Sequence, residues 1–531
     1  MTKPGPDASQ LLRDAGAVIQ TGFDGLTAPD WVLRGLEAGE IGGAVLFHRN
    51  IAGPGQLAEL TGSLYRANPD VLVAIDEEGG DVTRLEIAEG SSYPGNLALG
   101  HADDPALTEA VARALGLDLT AVGVNLNYAP VADVNANPDN PVIGVRSFGA
   151  DSDLVSRHTA AYVRGLQSTG VIGCAKHFPG HGDTNGDSHL GLPRIDFDDE
   201  TLALHLAPFR AAIAAGAKAI MTAHILLTRY NAAVPATMSP EVMAGLLRTE
   251  LGFEGLIVTD GIDMGAISAY YGVAEGTVKA VAAGVDAICV GGGPLHTEES
   301  FLHLRDALVW AVRERRLPEE RLHEAAERNR AAARWSAAER ARAAAEGAGG
   351  ADGAAGSHRA IGLTAARRAI RVSGDLKPPT GPAHVVEFSS IASIAVDALT
   401  PWGIAGAMAD LLPGTTSVTL APPISHLESV GLMTVPVTDD DAEIDLKPLL
   451  TAAVGRPLVL AVRDLHRNKW VARAVTGLLA ERPDAILVEM GVPHGLVDEL
   501  AARGVTVLAT HGSARVCGIA AAELITGRIS Q

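Results

Sequence analysis

From Ile41 onward the chain alternates short apolar runs with longer amphipathic ones, and few folds satisfy that rhythm. The runs that read as strands are Gly43–Phe47, Val71–Ile75, Val124–Ala129, Val171–Ala175, Ala217–Met221, Gly255–Val258 and Val285–Val290. Between them lie helical patterns, among them Leu57–Ala67, Leu107–Val122, Leu154–Thr169, Leu202–Ala215, Pro240–Leu251 and Phe301–Arg315. Strand followed by helix, repeated along this part of the chain, predicts a parallel β/α architecture. A closed eight-fold barrel and an open doubly wound sheet both fit it. The strand ends favour the barrel. Six of them finish in reactive residues: His48-Arg49-Asn50, Asp76-Glu77-Glu78, Asp133, Lys176-His177, His224 and Asp260. A barrel gathers every strand C-terminus round one mouth, whereas an open sheet spreads them along a line. We therefore expect a (β/α)8 TIM-type barrel.

A second unit follows. Leu322–Trp335 reads as helix, and Ala337–Gly356 is so rich in Ala, Gly, Arg and Glu that it reads as a linker, flexible in GAGGADGAAGS. From about Ala360, strands are expected at His384–Phe388, Ser417–Leu420, Leu458–Val462, Ala485–Glu489 and Val505–Ala509. Helices expected at Asp397–Leu411, Trp470–Arg482 and Leu496–Arg503 complete a smaller αβα sandwich. The division is then a barrel over 1–336, a linker over 337–359 and a sandwich over 360–531.

Composition removes several function classes. A net charge of −21 argues against nucleic acid and against an anionic membrane surface, both of which need clustered cations. Cys174, Cys289 and Cys517 are too far apart in sequence for a CxxC site or a disulfide framework, which suits free thiols in a reducing compartment. MTKPGPDASQLLRDAG has no apolar signal-peptide core, and no stretch of about twenty apolar residues could span a bilayer. The expectation is a soluble, cytoplasmic protein acting on a small molecule. Composition does not set its oligomeric state.

The densest chemistry lies in Lys176-His177-Phe178-Pro179-Gly180-His181-Gly182-Asp183-Thr184-Asn185-Gly186-Asp187-Ser188-His189, a loop straight after an apolar strand. Asp187 and His189, two residues apart, can face the same way. A carboxylate beside an imidazole raises its pKa and suits a group that is first acid, then base. An ordinary loop hydrogen bond would use the same pair. Asp260 follows a β-branched strand and precedes Gly261, as a reactive carboxylate or a helix cap would. Asp76, Arg84 and Arg146 could hold hydroxyls or carboxylates, although acidic helix starts and surface arginines look alike in sequence. Metal readings fail. Pro179, Gly180 and Gly182 deny His177 and His181 the helix a zinc pair needs, and Asp183–Asp187 lacks the glycine and glutamate of a calcium loop. Gly291-Gly292-Gly293 lacks a P-loop lysine. No metal or cofactor is expected.

Taken together, KHFPGHGDTNGDSHLGLP, LFHRNI, IDEEGG, NYAPVADVN, RSFG, MTAH and TDGIDM resemble, in order, the signatures of glycoside hydrolase family 3 β-N-acetylglucosaminidases of the bacterial cell-wall-recycling type, here in a two-domain form. The resemblance covers roughly residues 35 to 275. It implies a barrel fold and a retaining reaction through a covalent glycosyl-enzyme, with Asp260 as nucleophile and the Asp187–His189 pair as acid/base. It also implies that Asp76, Arg84, Arg146, Lys176 and His177 grip the N-acetylglucosamine (GlcNAc) ring. Glu77 and Asp81 depart from the family pattern and bear on contacts beyond that sugar. His511 ends a strand in the second unit, where a structural role is the expectation. Three alternatives stay open at this point. One is a GlcNAc-glycoside phosphorylase using the same residues, since a neutral histidine does not repel phosphate. Another is a broader family 3 β-glucosidase, and the third a non-enzymatic sugar-binding protein.

Overall fold

The computed structural model describes residues 8–184, 186, 188, 191–231, 233–290, 295–345, 357–389, 393, 395–421 and 444–529. Asp187, His189, the Gly291-Gly292-Gly293 run and most of GAGGADGAAGS lie outside them. The chain forms two compact units. One comprises Met1–Glu78, Pro105–Ile143 and Ser147–His358; the other comprises Gly79–Asp104, Gly144–Arg146 and Arg359–Gln531.

The first unit is the expected barrel. Its strands are β1 (Ile19–Thr21), β2 (Gly43–Leu46), β3 (Leu72–Ile75), β4 (Leu126–Asn127), β5 (Ile172–Phe178), β6 (Ala219–Thr222), β7 (Leu256–Thr259) and β8 (Ile288–Cys289). All pair in parallel in the order β8-β1-β2-β3-β4-β5-β6-β7, and a parallel bridge between Val258 and Ala287 joins the two ends. The sequence reading began its rhythm at Ile41 and so missed β1. That strand is three residues long and carries a polar Gln20, so no local pattern marks it. In the fold it is fully buried, and it pairs with both β2 and β8.

Period-two alternation fills the barrel. Leu72 and Ala74, Ile172 and Cys174, Ala219 and Met221, and Leu256 and Val258 belong to one buried cluster, which also takes in Ala332 and Ala333 of the helix Glu319–Ala345. The intervening residues Val73, Ile75, Ile220 and Ile257 are buried as well, so these strands read as continuous apolar runs.

The second unit holds a six-stranded sheet in the order β9 (Arg371–Ser373), β14 (Thr506–Ala509), β13 (Ile486–Glu489), β12 (Leu458–Val462), β10 (His384–Phe388) and β11 (Thr416–Leu420). All neighbours are parallel except β9, an antiparallel edge strand that the sequence reading missed. Apolar clusters cover both faces. Val386, Leu460, Leu487 and Val507 lie on one, and Val385, Val459, Val488 and Leu508 on the other, as a three-layer sandwich requires. The helix expected from Asp397 starts at Ala405. Pro401 disfavours helical backbone at the residue before it, and the Glu387 carboxylate accepts from the N–H groups of Ile404 and Ala405, which sets the start.

His511 is a structural residue within this unit. It is buried, with a left-handed φ of 59°, and its ring stacks on His101 with centroids 3.5 Å apart. Its Nδ1–H donates to the Ala369 carbonyl at 3.1 Å. Burial, then its neighbour, pulls the His511 imidazole down to about 3, and burial, then Arg371, pulls His101 down to about 4. Unfolded histidines protonate near 6.5, so the stability tied to this pair is present above that pH and lost as pH falls from about 6.5 toward 4. His511→Asn, which tolerates the left-handed backbone, should flatten the fall in thermal midpoint between pH 7 and pH 5. An unchanged pH slope in that variant would remove His511 as the cause.

No helix among the described residues is long and apolar enough to cross a membrane. Cys174, Cys289 and Cys517 are buried free thiols.

Candidate active site

The inward rows of the barrel run on past their apolar pairs into charge. Leu72-Ala74 leads to Asp76, Ile172-Cys174 to Lys176 and Leu256-Val258 to Asp260, each the next residue at a spacing of two. The ladder continues far enough to carry Asp260, whose N–H bonds to the Thr222 carbonyl at 3.2 Å. The Cys174 thiol, at the inner end of one row, registers all three groups. Burial raises its pKa most; Lys176 opposes this, and Asp76 and Asp260 add to it. The three charges therefore converge on one mouth.

Lys176 is almost wholly buried, and its Nζ lies 2.7 Å from both Asp76 Oδ1 and Glu78 Oε1. A buried ammonium with two carboxylates keeps its charge and fixes both partners, where an unpaired one would shift toward neutrality. Next to it, His177 bonds through Nδ1 to Asp133 Oδ2 at 2.7 Å. The same carboxylate accepts from the backbone N–H of His177 and, at 2.7 Å, from that of His181. Burial would raise the pKa of Asp133, but His177 and the His181 N–H outweigh it and hold the carboxyl below its ordinary range. An ionised Asp133 keeps the proton on Nδ1 of His177, so Nε2 is the nitrogen left to meet a ligand.

The loop beyond is built onto this frame. Gly182 lies so close to the Val134 carbonyl that a Cβ there would sit 1.9 Å from its oxygen. His181 bridges Thr184 Oγ1 through Nδ1 at 2.8 Å and Ser188 Oγ through Nε2 at 3.0 Å, and burial pulls it down to about 4, so it is neutral near pH 7. Ser188, between Asp187 and His189 in sequence, also accepts from the Ala266 N–H at 3.2 Å. His181 is thus a buried structural residue of the loop. Among the described residues no cluster of three or more His, Cys, Asp or Glu side chains is placed to hold a metal ion.

Residues 20–330 match the N-terminal domain of the glycosyl hydrolase family 3, well over half of the chain. The chain belongs to that family. A β-hexosaminidase of Stenotrophomonas maltophilia is 39% identical over 272 residues, which cover 49% of this chain and 78% of that protein. β-Hexosaminidase A of Pseudoalteromonas piscicida is 40% identical over 269 residues, 46% of this chain and 45% of the relative, so less than half of that protein's length is matched. Among solved structures, a family 3 β-N-acetylglucosaminidase from Paenibacillus sp. FPU-7 superposes over 98% of this chain and 97% of its own, with a TM-score of 0.83 and 33% identity. The family is one of barrel enzymes, which agrees with the architecture described above.

Of the residues singled out in the sequence, the fold brings Asp76, Lys176, His177 and Asp260 to the barrel mouth of this family 3 chain. Arg84 and Arg146 belong to the second unit, where Arg84 donates to the Ala395 carbonyl at 3.1 Å and the Arg146 carbonyl accepts from Asn96 Nδ2 at 2.7 Å. Asp81 is bound up within the same unit, accepting from the N–H and Oγ–H of Ser513 at 2.8 and 2.6 Å. Glu78, Asp133 and His224 were visible only as strand-end residues and had no assigned role. Their partners lie 13 or more residues away, so no spacing rule could have joined them.

Proposed function

We propose that the protein is a retaining exo-β-N-acetylglucosaminidase that removes terminal β-linked GlcNAc from muropeptide-derived or other short glycosides. The observation that carries this reading is the mouth itself. A strand-end carboxylate, Asp260, stands at the same barrel end as a lysine held by two carboxylates and a histidine held by Asp133, in a chain akin to β-hexosaminidases. In this reading Asp260 attacks the anomeric carbon while His189, oriented by Asp187, protonates the leaving oxygen. Water assisted by His189 then hydrolyses the glycosyl ester, with overall retention. Asp76, Lys176 and His177 hold the sugar hydroxyls. The buried free thiols support a reducing, cytoplasmic setting.

The test compares an aryl β-N-acetylglucosaminide with the matching β-glucoside, with and without phosphate. Strong preference for the acetamido sugar, with free GlcNAc as product, is expected. An equal or greater rate on the glucoside would overturn the substrate assignment. A GlcNAc phosphate formed on adding phosphate would make the enzyme a phosphorylase, and binding without turnover would make it a sugar-binding protein. His189→Ala should lose roughly a hundredfold or more on a poor leaving group and much less on an activated aryl one, which needs little acid help. Equal losses on both would remove His189 as the acid.

A further inference from the structure

His224 lies two residues past the end of β6 and is fully buried, and nothing in the reaction scheme above uses it. Its Nε2 lies 3.0 Å from the Gly261 carbonyl oxygen, and its Nδ1 lies 2.8 Å from Thr237 Oγ1. Thr222 Oγ1, on β6, lies 2.9 Å from the same Thr237 hydroxyl. A carbonyl only accepts, so Nε2 carries the proton. Burial lowers the basicity of this imidazole, and the Thr237 hydroxyl beside Nδ1 also lies 3.0 Å from the Ala223 carbonyl oxygen, so the ring is fastened on both sides.

Gly261 is the residue after Asp260, and it is held at both ends. Its carbonyl takes the His224 proton, and its N–H donates to Asp260 Oδ1 at 2.8 Å. The Asp260 N–H is itself anchored on the Thr222 carbonyl. One strand end, Thr222 to His224, thus grips the backbone on both sides of the Asp260 side chain.

We propose that His224 is a positioning residue for Asp260: by holding the Gly261 carbonyl it fixes the turn whose N–H orients the Asp260 carboxylate toward the anomeric carbon. The proposal rests on the nucleophile assignment made above. It predicts a loss confined to the glycosylation step, because sugar binding uses other side chains. A misplacement of about 1 Å in a reacting group costs on the order of a hundredfold.

The experiment compares His224→Leu, which removes the donor, with His224→Gln, whose side-chain amide can reach the Gly261 carbonyl. Expected for His224→Leu is a fall in kcat/KM of about 10- to 100-fold, equal on activated and poor aryl leaving groups, since both require attack by Asp260. The inhibition constant of free GlcNAc should stay unchanged, and His224→Gln should recover to within a few-fold of wild type. Wild-type rates in His224→Leu overturn the proposal. So do equal losses in both variants, which would assign the effect to packing. If His224→Leu does not fold, Thr237→Val decides: it frees the ring without touching Gly261, and a smaller loss in the same sense is expected, while none overturns the proposal. The two assignments fail separately. Substantial turnover by Asp260→Ala sinks the nucleophile, whereas an inactive Asp260→Ala beside a fully active His224→Leu sinks only the positioning role.

Discussion

Asp260→Ala should abolish release of the aryl alcohol from an aryl β-N-acetylglucosaminide, with kcat lower by roughly three powers of ten or more, the scale on which removal of a covalent nucleophile acts. The same variant should still bind GlcNAc, because Asp76 directly follows β3 and Lys176 and His177 stand on β5. Added azide should enter the space left by the carboxylate and attack from the nucleophile's face, giving the α-glycosyl azide from a β-glycoside. That product reports both the identity of the nucleophile and the retaining stereochemistry. Turnover within tenfold of wild type would sink the assignment of Asp260, and a β-azide would sink the double-displacement course.

The second large effect falls on stability. Asp286 is fully buried at the entry to β8 and bonds to the guanidinium groups of Arg248, Arg321 and Arg328 and to the Ile257 N–H. Burial pulls Arg248 down to about 10 even with Asp286 opposing it. The placement explains why the carboxylate matters. The β7–β8 seam closes the barrel, yet β8 is only two residues long, so the ladder there is short. Asp286 ties that seam to the helices Glu241–Glu250 and Glu319–Ala345. Removing one partner from a buried ionic cluster strands the others, at about 3–5 kcal/mol. Asp286→Ala should therefore lower the thermal midpoint by roughly 10 °C, with Asp286→Asn intermediate because it still offers an oxygen to Ile257. A midpoint within a degree or two of wild type would show that the arginines find other partners.

Both effects divide cleanly between what could be read in advance and what could not. The place of Asp260 at a strand end was legible because its signal is local. A β-branched strand, a carboxylate and a glycine stand side by side, and the spacing of two from Leu256 through Val258 is in the letters. Asp286 gave no such signal. It is a single charged residue inside the run Val285–Val290, and its three arginines come from residues 35 to 42 positions downstream and 38 upstream. His224 is similar: MTAH marks a strand end, but only the fold shows that its ring holds the carbonyl next to Asp260.

The sequence by itself determined the β/α rhythm, the second α/β unit, the order of the family 3 motifs and the charged strand ends. Each of these is a pattern within a few residues, set by the period of a strand or the conformational needs of a turn. The tertiary structure alone decided the closure of the barrel through the short strands Ile19–Thr21 and Ile288–Cys289. It also decided the pairing of Lys176 with two carboxylates, the holding of His177 by Asp133 and the network around Asp286. Those are contacts between residues far apart in the chain. A two- or three-residue strand, or a lone buried charge, is stable only when distant partners satisfy it, so its cause is not in its own neighbourhood.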